Sequence, residues 1–188
     1  MGALSDGLSN TIAMSEIVTQ ASSRPTDVRS GVIRAMGYNS NPGGTAGGNK
    51  YISADQRMKC LYARNGNELI PDALTAGQDV TMQVSRSNAF SSLDLACAFS
   101  TVNPPNSPAC YNGSADNGAM PGVYPPSSYH TGGVNVLRWD GSVWFVTDTI
   151  DCGPATAEIP TAQFQSSPSV YGVWGAMGTP NGGESASL

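Results

Sequence analysis

Apolar and polar residues alternate most cleanly between Val134 and Ile150. Val134–Trp139 and Ser142–Ile150 are rich in β-branched and aromatic side chains, which suit a pleated, half-buried surface. Asp140-Gly141 separates the two runs and predicts a hairpin closed by a two-residue turn. That register sets Leu137 against Trp144, Asn135 against Val146, and Val136 against Phe145. Trp144 and Phe145 then lie on opposite faces, so neither face is bare and another element must pack over the hairpin.

The remaining pattern is shorter and more broken. Thr11–Thr19, Val28–Met36 and Asp79–Val84 read as strands, with Gly31 a bulge or a point of close backbone approach in the second. Ala54–Tyr62 reads as a short helix, because Met58, Leu61 and Tyr62 recur at spacings of three and four. Ser91–Phe99 reads as a helical turn leading into an extended exit, and Pro104, Pro105 and Pro108 force an unpaired extended run. Ser169–Met177 is a last apolar segment, expected to pack Tyr171, Val173 or Trp174 onto the sheet. Residues 37–49 and 111–129 read as long loops, and 178–188 as a polar, frayed tail.

Composition narrows this picture. With 188 residues one domain spanning 1–188 is the expectation. The 22 glycines and 13 prolines punctuate the backbone too densely for long helices. The fold class that follows is mainly β (α+β): an antiparallel sheet with long Gly/Pro-rich loops and one or two short helices. Charged residues make up only 12%, against about 25% in an ordinary soluble domain. The net charge of −5, without a basic cluster, argues against nucleic acid or an anionic membrane surface as partner. Residues 1–20 hold no apolar run long enough for a signal peptide or a membrane span.

The four cysteines, Cys60, Cys97, Cys110 and Cys152, contain no CxxC pair, so a structural zinc site is not indicated. An even number at wide spacing predicts two disulfides in an oxidising compartment, with all three pairings open.

Four segments carry a family resemblance. Ser5-Asp6-Gly7-Leu8-Ser9-Asn10-Thr11 with Glu16, then Asn103–Cys110 (NPPNSPAC), then His130 followed after nine residues by Asp140-Gly141, then Trp174–Thr179 with Gly182-Gly183-Glu184 occur in that order. They resemble the DGxSNT…E, PPNSPxC, H-x9-DG and closing segments of a bacterial prepilin-like family, similar to type II secretion pseudopilins and of unknown function. The resemblance implies a pseudopilin-like globular head, periplasmic or on the extracellular surface in its parent protein. Its implied partners are other pilin-like subunits or surface components. Full-length members begin with a leader and a long apolar helix, so the chain is expected to be a C-terminal portion without that helix. Asp140, Gly141 and the cysteines are then structural.

The chemistry-bearing residues leave alternatives. His130 is the only histidine, so any Ser-His or Cys-His mechanism must use it, yet no GxSxG elbow is present. A hydrolase acting on a glycoside, ester or phosphoester would pair His130 with Glu16, Asp6 or Asp140, two carboxylates standing roughly 5–10 Å apart in the glycosidase case. Asp6, Asn10 and Asp140 offer oxygen ligands for calcium without EF-hand spacing. Tyr38, Tyr51, Tyr62, Trp139 and Trp144, near the long loops, would suit a carbohydrate-binding module. Against these stand plainer roles: turn capping for the carboxylates, and a ring nitrogen bonded to backbone for His130. No cofactor signature of the GxGxxG or GKS kind occurs. The expected activity is therefore assembly or surface interaction, with a hydrolase and a calcium- or carbohydrate-binding module as the alternatives.

Overall fold

The computed structural model describes residues 4–18, 27–34, 54–70, 98–111, 122–157 and 167–184. The expected strand at Asp79–Val84, the 37–49 loop, Cys97 and residues 91–97 of the expected helical turn lie outside them. The elements in chain order are β1 (Ile12–Ser15), β2 (Val32–Arg34), α1 (Ala54–Tyr62), β3 (Arg64–Asn65), β4 (Glu68–Leu69), β5 (Ala109–Tyr111), β6 (Gly122–Val123), β7 (Gly133–Arg138), β8 (Val143–Thr147) and α2 (Gly172–Gly178). Short strands, long connections and two short helices make the described part mainly β, of the α+β kind.

The first sheet has the order β1-β7-β8, antiparallel throughout. Its centre is the hairpin expected from the sequence, but the register is shifted by one. Val136 faces Trp144, Asn135 faces Phe145 and Leu137 faces Val143. The cause lies in the turn. A two-residue type I′ turn needs positive φ at both central residues, and here Gly141 alone has it, at 86°. Arg138 N–H bonds Ser142 O at 2.9 Å and Gly141 N–H bonds Arg138 O at 3.0 Å, closing a three-residue loop, Trp139-Asp140-Gly141, with glycine in the left-handed position. Asp140 Oδ1 accepts from Ser142 N–H and Oγ at 2.9 and 2.6 Å, which favours this loop over the tighter one.

The shift places Val134, Val136 and Val146 on one face, where they pack with Ile12, Trp174 and Met177. α2 supplies the last two, so the final apolar segment does cover the sheet, as a helix. Gly178 is required there because a Cβ would fall 2.0 Å from Thr101 Oγ1. The opposite face carries Met14, Leu137 and Val143 in a cross-strand row, with Met14 65%, Val143 66% and Phe145 47% exposed.

The second sheet, β2-β5-β6, is mixed: β2 runs parallel to β5, and β6 antiparallel to it. β6 lies inside the expected 111–129 loop, most of whose described residues, 123–128, are buried. β3 and β4 form a small hairpin. Val28, Ile33, Cys60, Ala63, Leu69 and Cys110 make the second core, crossed by a Cys60–Cys110 disulfide. Of the two disulfides expected this one is present, while Cys152 is a free thiol.

Arg57 joins the two cores. Wholly buried, it donates to Asn103 Oδ1 and to the carbonyls of Val102, Cys152 and Pro154 at 2.7–3.1 Å, and its guanidinium lies 4.7 Å from the Tyr171 ring centroid. The tail differs from expectation as well. Through Glu184 it is tied down: Gly182 and Gly183 N–H bond the Asp6 carboxylate at 2.7 and 2.9 Å, and Glu184 accepts from Ser169 N–H and Thr179 Oγ1.

Candidate functional site

Glu16 and His130 are the two proposed catalytic residues that the fold brings together. Glu16 follows the end of β1, where it continues the pairing with β7 through its own N–H to Asn135 O, 3.3 Å. Its side chain folds back onto the same residue. Oε2 accepts the Asn135 backbone N–H at 2.7 Å and Oε1 accepts the Asn135 amide at 3.1 Å. His130 Nε2 lies 3.2 Å from Oε1. Burial tends to raise the Glu16 pKa, but the two Asn135 bonds and the nearby His130 outweigh it and hold the carboxyl below its ordinary value.

The loop carrying His130 is fixed by its backbone and by Asn106. Ser128 Oγ donates to Gly133 O at 2.6 Å and accepts His130 N–H at 3.1 Å. Asn106, whose φ of 58° is unusual for a residue with a side chain, accepts Ser128 N–H at 2.9 Å and donates to Gly133 O at 3.3 Å. Ser127 N–H bonds Glu16 O, and its Oγ accepts Val18 N–H, both at 3.0 Å. Both serine hydroxyls are therefore engaged with backbone, and neither is bonded to the imidazole.

Glu16, Ser127, Ser128, Tyr129 and His130 line a shallow hollow of about 370 Å³. A larger one, about 430 Å³, lies elsewhere, beside α2, walled by Ile12, Phe99, Val170 and hydroxyl-bearing residues. It contains neither His130 nor a carboxylate, so volume and chemistry point to different places, and the chemistry is the better guide to a reactive site. Tyr171, at its edge, is pushed up to about 12 by burial.

Asp6 and Asp140 are placed apart from His130. Asp140 is at the far end of β7, about 17 Å of strand away from Gly133, and is fully exposed, its pKa lowered by the Ser142 hydroxyl and N–H. Asp6 is buried and its two oxygens are taken by Gly182 and Gly183. Asn10 donates its amide to Asp6 O at 2.7 Å. Among the described residues no group of three or more His, Cys, Asp or Glu is placed to hold a metal, and no helix is long and apolar enough to cross a membrane.

These contacts link the recurring sequence segments to one another. Leu8 O and Thr11 O accept from Asp140 and Trp139 N–H, Glu16 meets His130, Asn106 holds Ser128, Trp174 Nε1 donates to Asn103 O at 2.9 Å, and Asp6 holds the closing glycines. Residues 1–153 match the model of a family described as "Protein of unknown function (DUF1559)". The chain belongs to the DUF1559 family. No curated protein and no solved structure matches it. In this DUF1559 chain the sequence pointed to Glu16 and His130 but missed Asn135, Asn106 and Arg57. A polar residue inside the alternating run of β7 was the available signal for Asn135; nothing marked Arg57.

Proposed function

We propose that the chain is an extracytoplasmic, pseudopilin-like head that acts by assembly with other pilin-like subunits or surface components, and not by catalysis. The observation that carries this reading is how the motif side chains are used. The Glu16, Asp6 and Asp140 carboxylates each accept backbone N–H groups, as capping residues do, and the serines beside His130 serve the backbone too. The order of the four resembling segments supports the pseudopilin part, and the Cys60–Cys110 disulfide is compatible with a periplasmic or extracellular location. An uncharged outer sheet face of Met14, Leu137, Val143 and Phe145 suits contact with another protein.

The Glu16–His130 pair is the one observation that favours a hydrolase. Among the described residues no free nucleophile stands at hydrogen-bond distance of it and no second carboxylate lines its hollow, both of which such chemistry needs. The test is turnover of chromogenic ester, phosphate and glycoside substrates by the parent chain, His130→Ala and Glu16→Gln. Equal background rates are expected from all three. A rate that falls by orders of magnitude in both variants, with melting unchanged, would overturn the assembly reading.

A further inference from the structure

The geometry points to β8 as a docking edge for a second copy of this chain, pairing β8 with β8 into one six-stranded sheet. The inference rests on the assembly reading and names its contact. The sheet order ends at β8. Arg138 bonds Ser142, and antiparallel pairs alternate between bonded and non-bonded, so Ser142, Trp144 and Val146 direct their backbone groups toward β7. Val143, Phe145 and Thr147 direct theirs outward; among the described residues only the Thr147 carbonyl is engaged, accepting Ile150 N–H at 3.2 Å, which leaves it one lone pair.

The two edges of the sheet are treated differently. β1 has a register irregularity between Ile12 and Met14, and beyond its end Glu16 O is covered by Ser127 N–H. Bulges and covering segments are common ways to block an edge. β8 pairs with β7 without a register shift, and among the described residues its open edge is touched only at Thr147 O; its sequence, Val-Trp-Phe-Val-Thr, contains no charge and no proline. Val143, Trp144 and Phe145 are 66%, 39% and 47% exposed.

The open edge is also self-complementary. Its three outward residues are spaced symmetrically about Phe145, so a two-fold axis there pairs Phe145 with its copy and Val143 with the Thr147 of the other chain. An isologous contact requires this kind of symmetry. In that register Asp148 falls opposite Ser142 and Asp140 opposite Ile150, so no carboxylate faces another. Each outer face then continues into the next, extending the Met14–Leu137–Val143 row across the axis.

The strand is about 17 Å long and a sheet about 10 Å thick, well short of the ~800 Å² per partner typical of a stable interface. The free pair is therefore weak, and becomes populated where subunits are held at high local concentration.

Sedimentation velocity on the full chain from about 10 µM to about 1 mM, a range spanning weak affinities, tests the idea. A monomer–dimer equilibrium is expected that is lost in Thr147→Pro, which removes an outward N–H, and in Val143→Lys, which places a charge on the edge. Both should keep the parent melting temperature. In a Cys152→Ala background, Phe145→Cys should cross-link to its copy on mild oxidation, since paired Cα atoms sit about 5.5 Å apart. Val143→Cys should not, because its copy lies about 13 Å along the strand. A monomer at every concentration without Phe145→Cys cross-linking, or a dimer that survives both edge variants, overturns the proposal. Either result would leave the assembly reading standing, since that reading fails on His130-dependent turnover.

Discussion

Arg57 and Arg138, both buried, show how differently one residue type can be accommodated. Arg57 satisfies four acceptors, whereas Arg138, 5% exposed, leaves Nε and Nη2 without hydrogen-bond partners and lies 3.8 Å over the Trp144 ring. Removing Arg57 orphans buried carbonyls at about 1–3 kcal/mol each, so Arg57→Met should cost about 3 kcal/mol or more by urea denaturation. Arg138→Met removes unpaired donors and keeps the volume, so it should be neutral or stabilising. Equal losses in the two variants would refute this contrast. For Glu16 the folded carboxyl titrates below its ordinary value, so its contribution is complete above about pH 4.5 and disappears as pH falls through the lowered value. The melting difference between the parent and Glu16→Gln should accordingly be largest at neutral pH and vanish in acid. A difference that persists unchanged at pH 2 would show that the charge is not involved.

At the scale of elements, the hairpin was legible and its register was not. Alternation in Val134–Thr147 marks two strands whatever the turn, but a one-residue change of loop length exchanges cross-strand partners. The deciding interaction, Asp140 with Ser142, is worth too little to outvote the statistical preference of an Asp-Gly pair when read from sequence. Gly141→Ala should cost about 1–2 kcal/mol, because φ is 86° and no neighbour lies within 4 Å of the added Cβ; a neutral result would argue for another turn geometry. The α2 segment was recognised as apolar, yet three glycines and a β-branched valine among its seven residues (Gly172, Val173, Gly175, Gly178) hide its helicity. The Trp174–Met177 packing overrides that local preference.

Across the whole molecule, the sequence placed Glu16 and His130 among the candidates but gave no means of telling them from Asp6 and Asp140, since proximity over more than a hundred residues is set by sheet order. The mixed second sheet was likewise hidden, because the β2–β5 parallel pairing depends on a crossover and not on a local turn. Its disulfide spans 50 residues, and the chain-entropy relation gives about 4 kcal/mol for a loop of that size. Reduction should therefore lower the denaturation midpoint markedly, and an unchanged midpoint would mean that the bond adds little to the fold.

The bond between Asp6 and the glycines near the other end of the chain also sets an order of events. It joins positions 176 and 177 apart, and at synthesis rates of about 5–20 residues per second the later partner appears roughly 10–40 s after the earlier one. Until then the hairpin alone can hold the N-terminal turn, through Leu8 O and Thr11 O, and α2 is not there to cover the sheet. The packing of the first sheet is thus completed only after the closing segment has been made, so shortening the chain ahead of α2 removes both the cover of the sheet and the Asp6 partners.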